Sequence, residues 1–128
     1  MLNNLLVKEV LSSEASGNVN VVSFVDRLLE LALEQNASDI HIEPFEKNVK
    51  VRYRIDGDLQ NRAEFPIEAY SAICARLKIV AGLNIAERRV PQDGRINMVI
   101  GGKEYDFRVS SLPTVFGEKF GCGFSYSS

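Results

Sequence analysis

The sequence predicts an α+β domain: a mostly antiparallel sheet with two main helices packed against it. Two stretches carry apolar residues at helical spacing, and several others alternate apolar and polar residues as strands do. Two glycine-containing turns, at 56–57 and 101–102, separate consecutive alternating stretches. The predicted order is one helix, three strands, a second helix and two strands, which is typical of the α+β class.

The composition is that of one ordinary globular domain. The chain has 128 residues, of which 45% are apolar and 25% are charged, with a net charge of −2. This acidic balance does not favour nucleic-acid binding, so any basic site must be local. Cys74, Cys122 and the single histidine, His41, match neither a disulfide framework nor a zinc spacing, and we expect a cytoplasmic protein.

The first helix follows a polar segment. Residues 1–19 are interpreted as an N-terminal segment and linker without a signal peptide or membrane-spanning run. From Val22 to Leu33 the apolar residues recur at helical spacing. Asn36 suits the helix end, because asparagine tolerates the left-handed conformation found just past a helix.

Three strands are expected next. Residues 39–43 alternate polar and apolar side chains up to Pro44, and residues 49–55 alternate more regularly. Asp56-Gly57 predicts a hairpin turn, since this pair readily adopts positive φ angles. The return strand begins at Leu59.

The second helix is expected to start at Pro66, because proline suits the first helical turn, and to stop at Gly82. Its apolar face runs from Ile67 to Val80, and Lys78 is expected to lie away from that face. A loop of high charge density, residues 84–94, follows.

A last hairpin closes the predicted domain. Its strands are residues 95–100 and 103–111, joined by Gly101-Gly102. Pro113 and Gly117 are expected to end regular structure.

The register of this hairpin places two arginines side by side. A two-residue turn at 101–102 pairs residues whose numbers add to 203, which puts Arg95 opposite Arg108. Two facing arginines repel by a few tenths to about 1 kcal/mol, and such a pair suits an anion with several oxygens. The alternative is that nearby carboxylates neutralise the pair and nothing binds. This register also gives one continuous apolar face, made by Ile96, Met98, Tyr105 and Phe107.

Catalytic signatures are absent from the sequence. No G-x-x-x-x-G-K-[ST] loop occurs, since Asn97 stands at the first glycine position relative to Gly102-Lys103. His41 lies in an alternating strand and is interpreted as a sheet residue. The basic strand face of Lys50, Arg52 and Arg54 is more typical of a solvated or partner-facing surface than of a nucleic-acid site.

Several motifs together resemble one protein family. The longest is Ile-Ala-Glu-Arg-Arg-Val-Pro-Gln-Asp-Gly-Arg-Ile at 85–96, and Asp-Phe-Arg-Val-Ser-Ser-Leu-Pro follows at 106–113. Ala-Ser-Asp-Ile-His-Ile-Glu-Pro at 37–44 and Val-Arg-Tyr-Arg-Ile-Asp-Gly at 51–57 precede them, and Gly-Glu-Lys stands at 117–119. Taken in chain order, these motifs resemble the second N-terminal domain of type II secretion and type IV pilus assembly ATPases, over about residues 20–119.

The resemblance implies a PAS-like α+β fold tethered to a RecA-like motor domain that carries the Walker motifs. It implies ATP and Mg²⁺ in the complete enzyme, with Arg95 and Arg108 as arginine fingers to the γ-phosphate. It also implies partners: the motor domain, neighbouring subunits of a hexameric ring and, indirectly, platform proteins at the inner membrane. Arg88 and Arg89 are weaker candidates for contacts between subunits, with solvated loop charges as the equal alternative. This chain alone is expected to lack ATPase activity and to bind no nucleotide tightly.

The sequence departs from the family pattern after Lys119. The family continues there through an apolar strand, whereas residues 120–128 are rich in glycine and serine. We therefore expect 120–128 to be a disordered tail that is not native sequence. The rival interpretation of the whole chain is a PAS-like interaction or ligand-sensing module with no role in ATP chemistry. A ligand-sensing module would need an internal pocket, which the abundant Val, Ile and Leu make unfavourable.

Overall fold

A computed structural model describes residues 19–126 of the chain and confirms the α+β class. The predicted linker, apart from Val19 at the start of the first helix, and the last two residues lie outside this range. A 3₁₀ turn, Ile67–Ala69, precedes the second helix. The helices and strands in chain order are α1 (Val19–Glu34), β1 (Asp39–Pro44), β2 (Asn48–Ile55), β3 (Asp58–Pro66), α2 (Tyr70–Ala81), β4 (Gln92–Ile100), β5 (Lys103–Thr114) and β6 (Gly117–Tyr126).

One six-stranded sheet has the order β3-β2-β1-β6-β5-β4, and every neighbouring pair is antiparallel. The apolar members of each alternating strand join both helices in one core cluster. Tyr53 of β2 donates a hydrogen bond of 2.6 Å to the Leu28 carbonyl of α1. Because side chains alternate between the faces of a strand, the polar members of these strands lie together on the opposite face.

Local backbone geometry explains where the elements end. Asn36 has φ 58° just after α1, and Gly82 has φ 72° just after α2, so both predicted stops are confirmed. Asp56 and Gly57 both have positive φ, as a tight hairpin turn requires. The predicted start of the second helix was wrong, because Pro66 has ψ 146° and ends β3 in extended conformation.

The expectation of a disordered tail is wrong as far as Tyr126. Residues 117–126 form β6, which pairs with β1 on one side and β5 on the other. Pro113 and Gly117 therefore do not end regular structure: Pro113 lies inside β5 and Gly117 begins β6. Phe120 and Cys122 are buried in the core, and burial stabilises a strand whose glycines would disfavour it in isolation.

The sequence predicts that Lys78 lies away from the apolar face of α2, but the structure buries it. Its side chain is 2% exposed, and its ammonium lies 2.7 Å from Oε1 of Glu118 in β6. The same ammonium donates to the carbonyls of Glu87 at 2.7 Å and Asn84 at 3.4 Å. A buried charge is tolerated only when paired and hydrogen-bonded, and Lys78 meets that condition by binding the loop that follows its own helix.

Candidate functional site: an arginine pair on the open face of the sheet

The predicted register of the last hairpin is confirmed. Arg95 of β4 faces Arg108 of β5, and Ile96 faces Phe107. Ile96 and Phe107 are buried under the helices, so the alternation along each strand turns both arginines to the opposite, open face. Both arginines are exposed.

Neither guanidinium forms an ion pair within 4.0 Å of a carboxylate in residues 19–126. The ion pairs and side-chain hydrogen bonds there include no contact of Arg95 or Arg108 with a carboxylate. Two positive charges directly opposite each other cost up to about 1 kcal/mol, and a multivalent anion would offset that cost.

The floor beside the pair is formed by two glycines of β6. Gly123 pairs with Arg108 on one side and with Asp39 of β1 on the other, and Gly121 pairs with Ser110. A Cβ at Gly123 would meet no atom within 4 Å. The missing side chains leave a depression of about 670 Å³, lined by both arginines, between β4 and β1.

Two acidic residues also line this depression, Asp93 of β4 and Asp39 on the far side, and Asp39 is already paired. Asp39 accepts a hydrogen bond from Ser38 at 2.7 Å, contacts the His41 ring, and lies 3.2 Å from Nε of Arg54. Burial alone would raise the pKa of Asp39, but the hydrogen bonds of Ser38 and His41 and the charges of His41 and Arg54 outweigh it and lower the pKa. Asp39 thus stays ionised with its own partners.

The start of β4 is held by close backbone contact and by a polar loop. A Cβ at Gly94 would lie 2.3 Å from the Ala81 carbonyl oxygen, so this position needs glycine for close approach to the end of α2. The Gln92 amide accepts from Asn84 N at 2.8 Å and donates to the Glu87 carbonyl at 3.0 Å. These contacts fix the chain immediately before Arg95.

The remaining basic candidates lie elsewhere. Arg89 is exposed and contacts Glu87 of its own loop at 3.5 Å, and Arg88 is exposed on the same loop. Arg52 lies on β2, near the opposite edge of the sheet from β4, and donates to Asn61 at 3.1 Å.

Residues 19–126 contain neither a cluster of metal ligands nor a membrane-spanning helix. No group of His, Cys, Asp and Glu side chains there could hold a metal ion. None of the helices in that range has the length and apolarity needed to cross a bilayer.

Comparison with known proteins places these features in a family. Residues 14–122 match the family described as "Type II/IV secretion system protein". The chain belongs to that family. The match includes β4 and β5 and therefore the arginine pair.

Relatives named for pilus assembly and for type II secretion match this chain at similar identity. A type IV pilus assembly ATPase, PilB, from Myxococcus xanthus is 51% identical over 108 residues. A type II secretion system protein E from Xanthomonas campestris is 52% identical over 108 residues. Each match covers 84% of this chain, but only 19% and 18% of the relative, so the chain spans about a fifth of their length.

A solved structure supports the fold. The Legionella pneumophila ATPase DotB matches with a TM-score of 0.58 over 83% of this chain and 29% of that chain. Its sequence identity is 15%, so this likeness concerns the fold alone.

Sequence reasoning missed two parts of the site. Gly121 and Gly123 were assigned to a disordered tail, although Phe120, Cys122 and Phe124 alternate with small residues as in a strand. The role of Lys78 in holding the loop before β4 had no local signal, because its partner Glu118 is 40 positions away in the chain.

Proposed function

We propose that this chain is the domain of a type II secretion or type IV pilus assembly ATPase that presents Arg95 and Arg108 to the phosphates of ATP. The observation that carries the proposal is the facing arginine pair on an open sheet face, where neither arginine forms an ion pair within 4.0 Å among residues 19–126. The family membership supports it, because relatives at about 50% identity are named a type IV pilus assembly ATPase and a type II secretion system protein.

The chemistry follows from charge and geometry. In phosphoryl transfer, negative charge spreads over the oxygens of the γ-phosphoryl group, and arginines that reach it stabilise the transition state. Two guanidiniums on adjacent strands present several N–H donors to a polyphosphate. The glycine floor leaves room for phosphate groups beside the pair.

The rest of the catalytic machinery belongs to a motor domain elsewhere in the polypeptide. A Walker A loop is absent from this sequence, so that domain supplies the ATP site in our proposal. No acidic cluster in residues 19–126 suits Mg²⁺, which the phosphates and the motor domain would hold. This chain alone is then inactive and binds nucleotide weakly.

The partners and location follow from this assignment. The β4–β5 end of the open sheet face docks on the motor domain, and neighbouring subunits complete a hexameric ring at the cytoplasmic side of the inner membrane. Rigid movement of this domain against the motor transmits force as ATP is hydrolysed. Platform proteins of the secretion or pilus machine are reached indirectly, and no nucleic acid is involved.

The test compares Arg108→Ala with the wild type in the full-length protein that contains the motor domain. Steady-state ATP turnover is expected to fall by about 10³-fold or more, as for arginine fingers in other phosphoryl-transfer enzymes. Arg52→Ala is the matched control, because Arg52 lies on the same face but on β2, where it donates to Asn61. It should leave turnover within about twofold.

Unchanged turnover in Arg108→Ala would refute the catalytic role. The domain would then be a docking module, the rival interpretation. Equal losses in Arg108→Ala and Arg52→Ala would also count against it, since they would indicate a general effect of removing positive charge from the sheet face.

A further inference from the structure

A groove lies where both helices meet the last strand of the sheet. It has a volume of about 330 Å³ and is lined by residues of α1, α2 and β4. Its apolar wall is made by Val25, Leu29, Val80, Ile96 and Met98. We refer to it as the α1–α2 groove.

One cation in this groove has no anionic partner among residues 19–126. Arg76 of α2 lines the groove and is half-buried. It forms no ion pair within 4.0 Å in that range, even though Asp26 lines the same groove. Its Nε is enclosed and has no hydrogen-bond partner there, so a partner would reach the outer nitrogens of the guanidinium. Because a partly desolvated charge is costly without a partner, a carboxylate brought to these nitrogens would offset that cost.

A segment of this chain outside the described residues has the complementary pattern. Residues 1–13 precede the range matched by the family, which begins at residue 14. Among them, Leu2, Leu5, Leu6 and Val10 recur at the spacing of one helical face. Glu9 falls on the same face, because it follows Leu5 by four residues and Leu6 by three. An apolar face that contains one carboxylate thus matches an apolar groove that contains one unpaired guanidinium.

We propose that the α1–α2 groove binds residues 2–10 of the same chain in helical conformation. The leucines and Val10 pack on the apolar wall, and the Glu9 carboxylate pairs with the outer nitrogens of Arg76. An amphipathic helix laid into an apolar groove is a common mode of peptide recognition. The docked segment lies against β4, an edge strand of the sheet, and covered edges resist pairing with other chains.

The length of the connection favours the same chain over a second copy. α1 begins at Val19, and Val25, which lines the groove, lies about 9 Å further along the helix axis. The chain between Glu9 and Val19 can span up to about 33 Å when extended, so Glu9 can reach the groove. A tether of this length gives an effective concentration on the order of millimolar, which a second copy in dilute solution does not match.

The test uses the 128-residue chain with labelled methyl groups in NMR. We expect nuclear Overhauser effects between the methyl groups of Leu5 or Leu6 and those of Val80 or Met98. They should be unchanged on dilution. In a mixture of two differently labelled populations, no such effect should connect one chain with another.

Two glutamates give a matched pair of variants, and both lie outside residues 19–126. Glu9→Lys should abolish these contacts and shift the methyl signals of Val80 and Met98, because a lysine at this position repels Arg76. Glu14→Lys makes the same change of charge outside residues 2–10 and should leave the contacts intact. Arg76→Glu alone should also abolish them, and combining it with Glu9→Lys should restore them, since the reversed pair attracts.

Three results would overturn the proposal. Absence of the contacts in the wild type would show that residues 2–10 do not fill the groove. Contacts that disappear on dilution, or that connect differently labelled chains, would show that a second copy is the occupant. Equal effects of Glu9→Lys and Glu14→Lys would show that Glu9 and Arg76 form no specific pair.

Discussion

The first prediction concerns Gly94, the residue before Arg95, and its replacement by alanine. A Cβ at this position would lie 2.3 Å from the Ala81 carbonyl oxygen and 2.7 Å from Cδ2 of Leu83. The leucine carbon can move by a change of rotamer. The carbonyl oxygen cannot, because it belongs to the backbone at the end of α2, so α2 and β4 must separate.

The expected loss of stability follows from the clash with the backbone oxygen, which cannot move aside. Overpacking a well-filled site costs about 1–3 kcal/mol, and a clash with backbone belongs at the upper end of this range. We therefore expect Gly94→Ala to lower the free energy of unfolding by about 3 kcal/mol. At roughly 4 °C per kcal/mol for a domain of this size, the melting temperature should fall by about 12 °C.

Urea unfolding and thermal melts of the 128-residue chain measure this change. Gly123→Ala is the matched control, because its Cβ would meet no atom within 4 Å and glycine weakens a strand interior. The control should change stability by less than about 1 kcal/mol, in the stabilising direction. A Gly94→Ala chain as stable as Gly123→Ala would refute the close approach of β4 to α2.

Two further predictions test the buried side of β6. Lys78→Met should lower the free energy of unfolding in urea by about 3–5 kcal/mol, because Glu118 is left as an uncompensated buried charge. The double variant that also carries Glu118→Leu should recover most of this loss. Burial raises the pKa of the Cys122 thiol to about 12, so its labelling by a disulfide reagent at pH 8 should be on the order of 10³ slower than in the urea-unfolded chain. Rapid labelling of Cys122 without urea would show that β6 is not folded.

The register of the arginine pair could be predicted because only local information was needed. A two-residue turn at Gly101-Gly102 fixes which residues face each other, and the buried pair Ile96 and Phe107 decides which face is inside. A slip by one residue would turn the apolar set outward, so the two signals support each other.

The tertiary contacts of β6 could not be predicted in the same way. Glycine and serine have low strand propensity, so residues 120–126 gave a weak local signal. The strand forms because Phe120 and Cys122 are buried between β1 and β5. The burial of Lys78 depends on the same strand, since its partner Glu118 lies there, and no pattern within α2 indicates it.

The fold itself imposes the arginine pair, and this makes the turnover test decisive. A slip of β4 against β5 by one residue would expose Phe107, which costs more than the repulsion of up to about 1 kcal/mol between Arg95 and Arg108. Removing one charge by Arg108→Ala should therefore leave this chain as stable as before or more stable by a few tenths of a kcal/mol. A loss of ATP turnover in the same variant could then not be attributed to unfolding of this domain. A loss of stability in Arg108→Ala would mean that the side chain makes a favourable contact, and the premise of an uncompensated, anion-ready pair would fail.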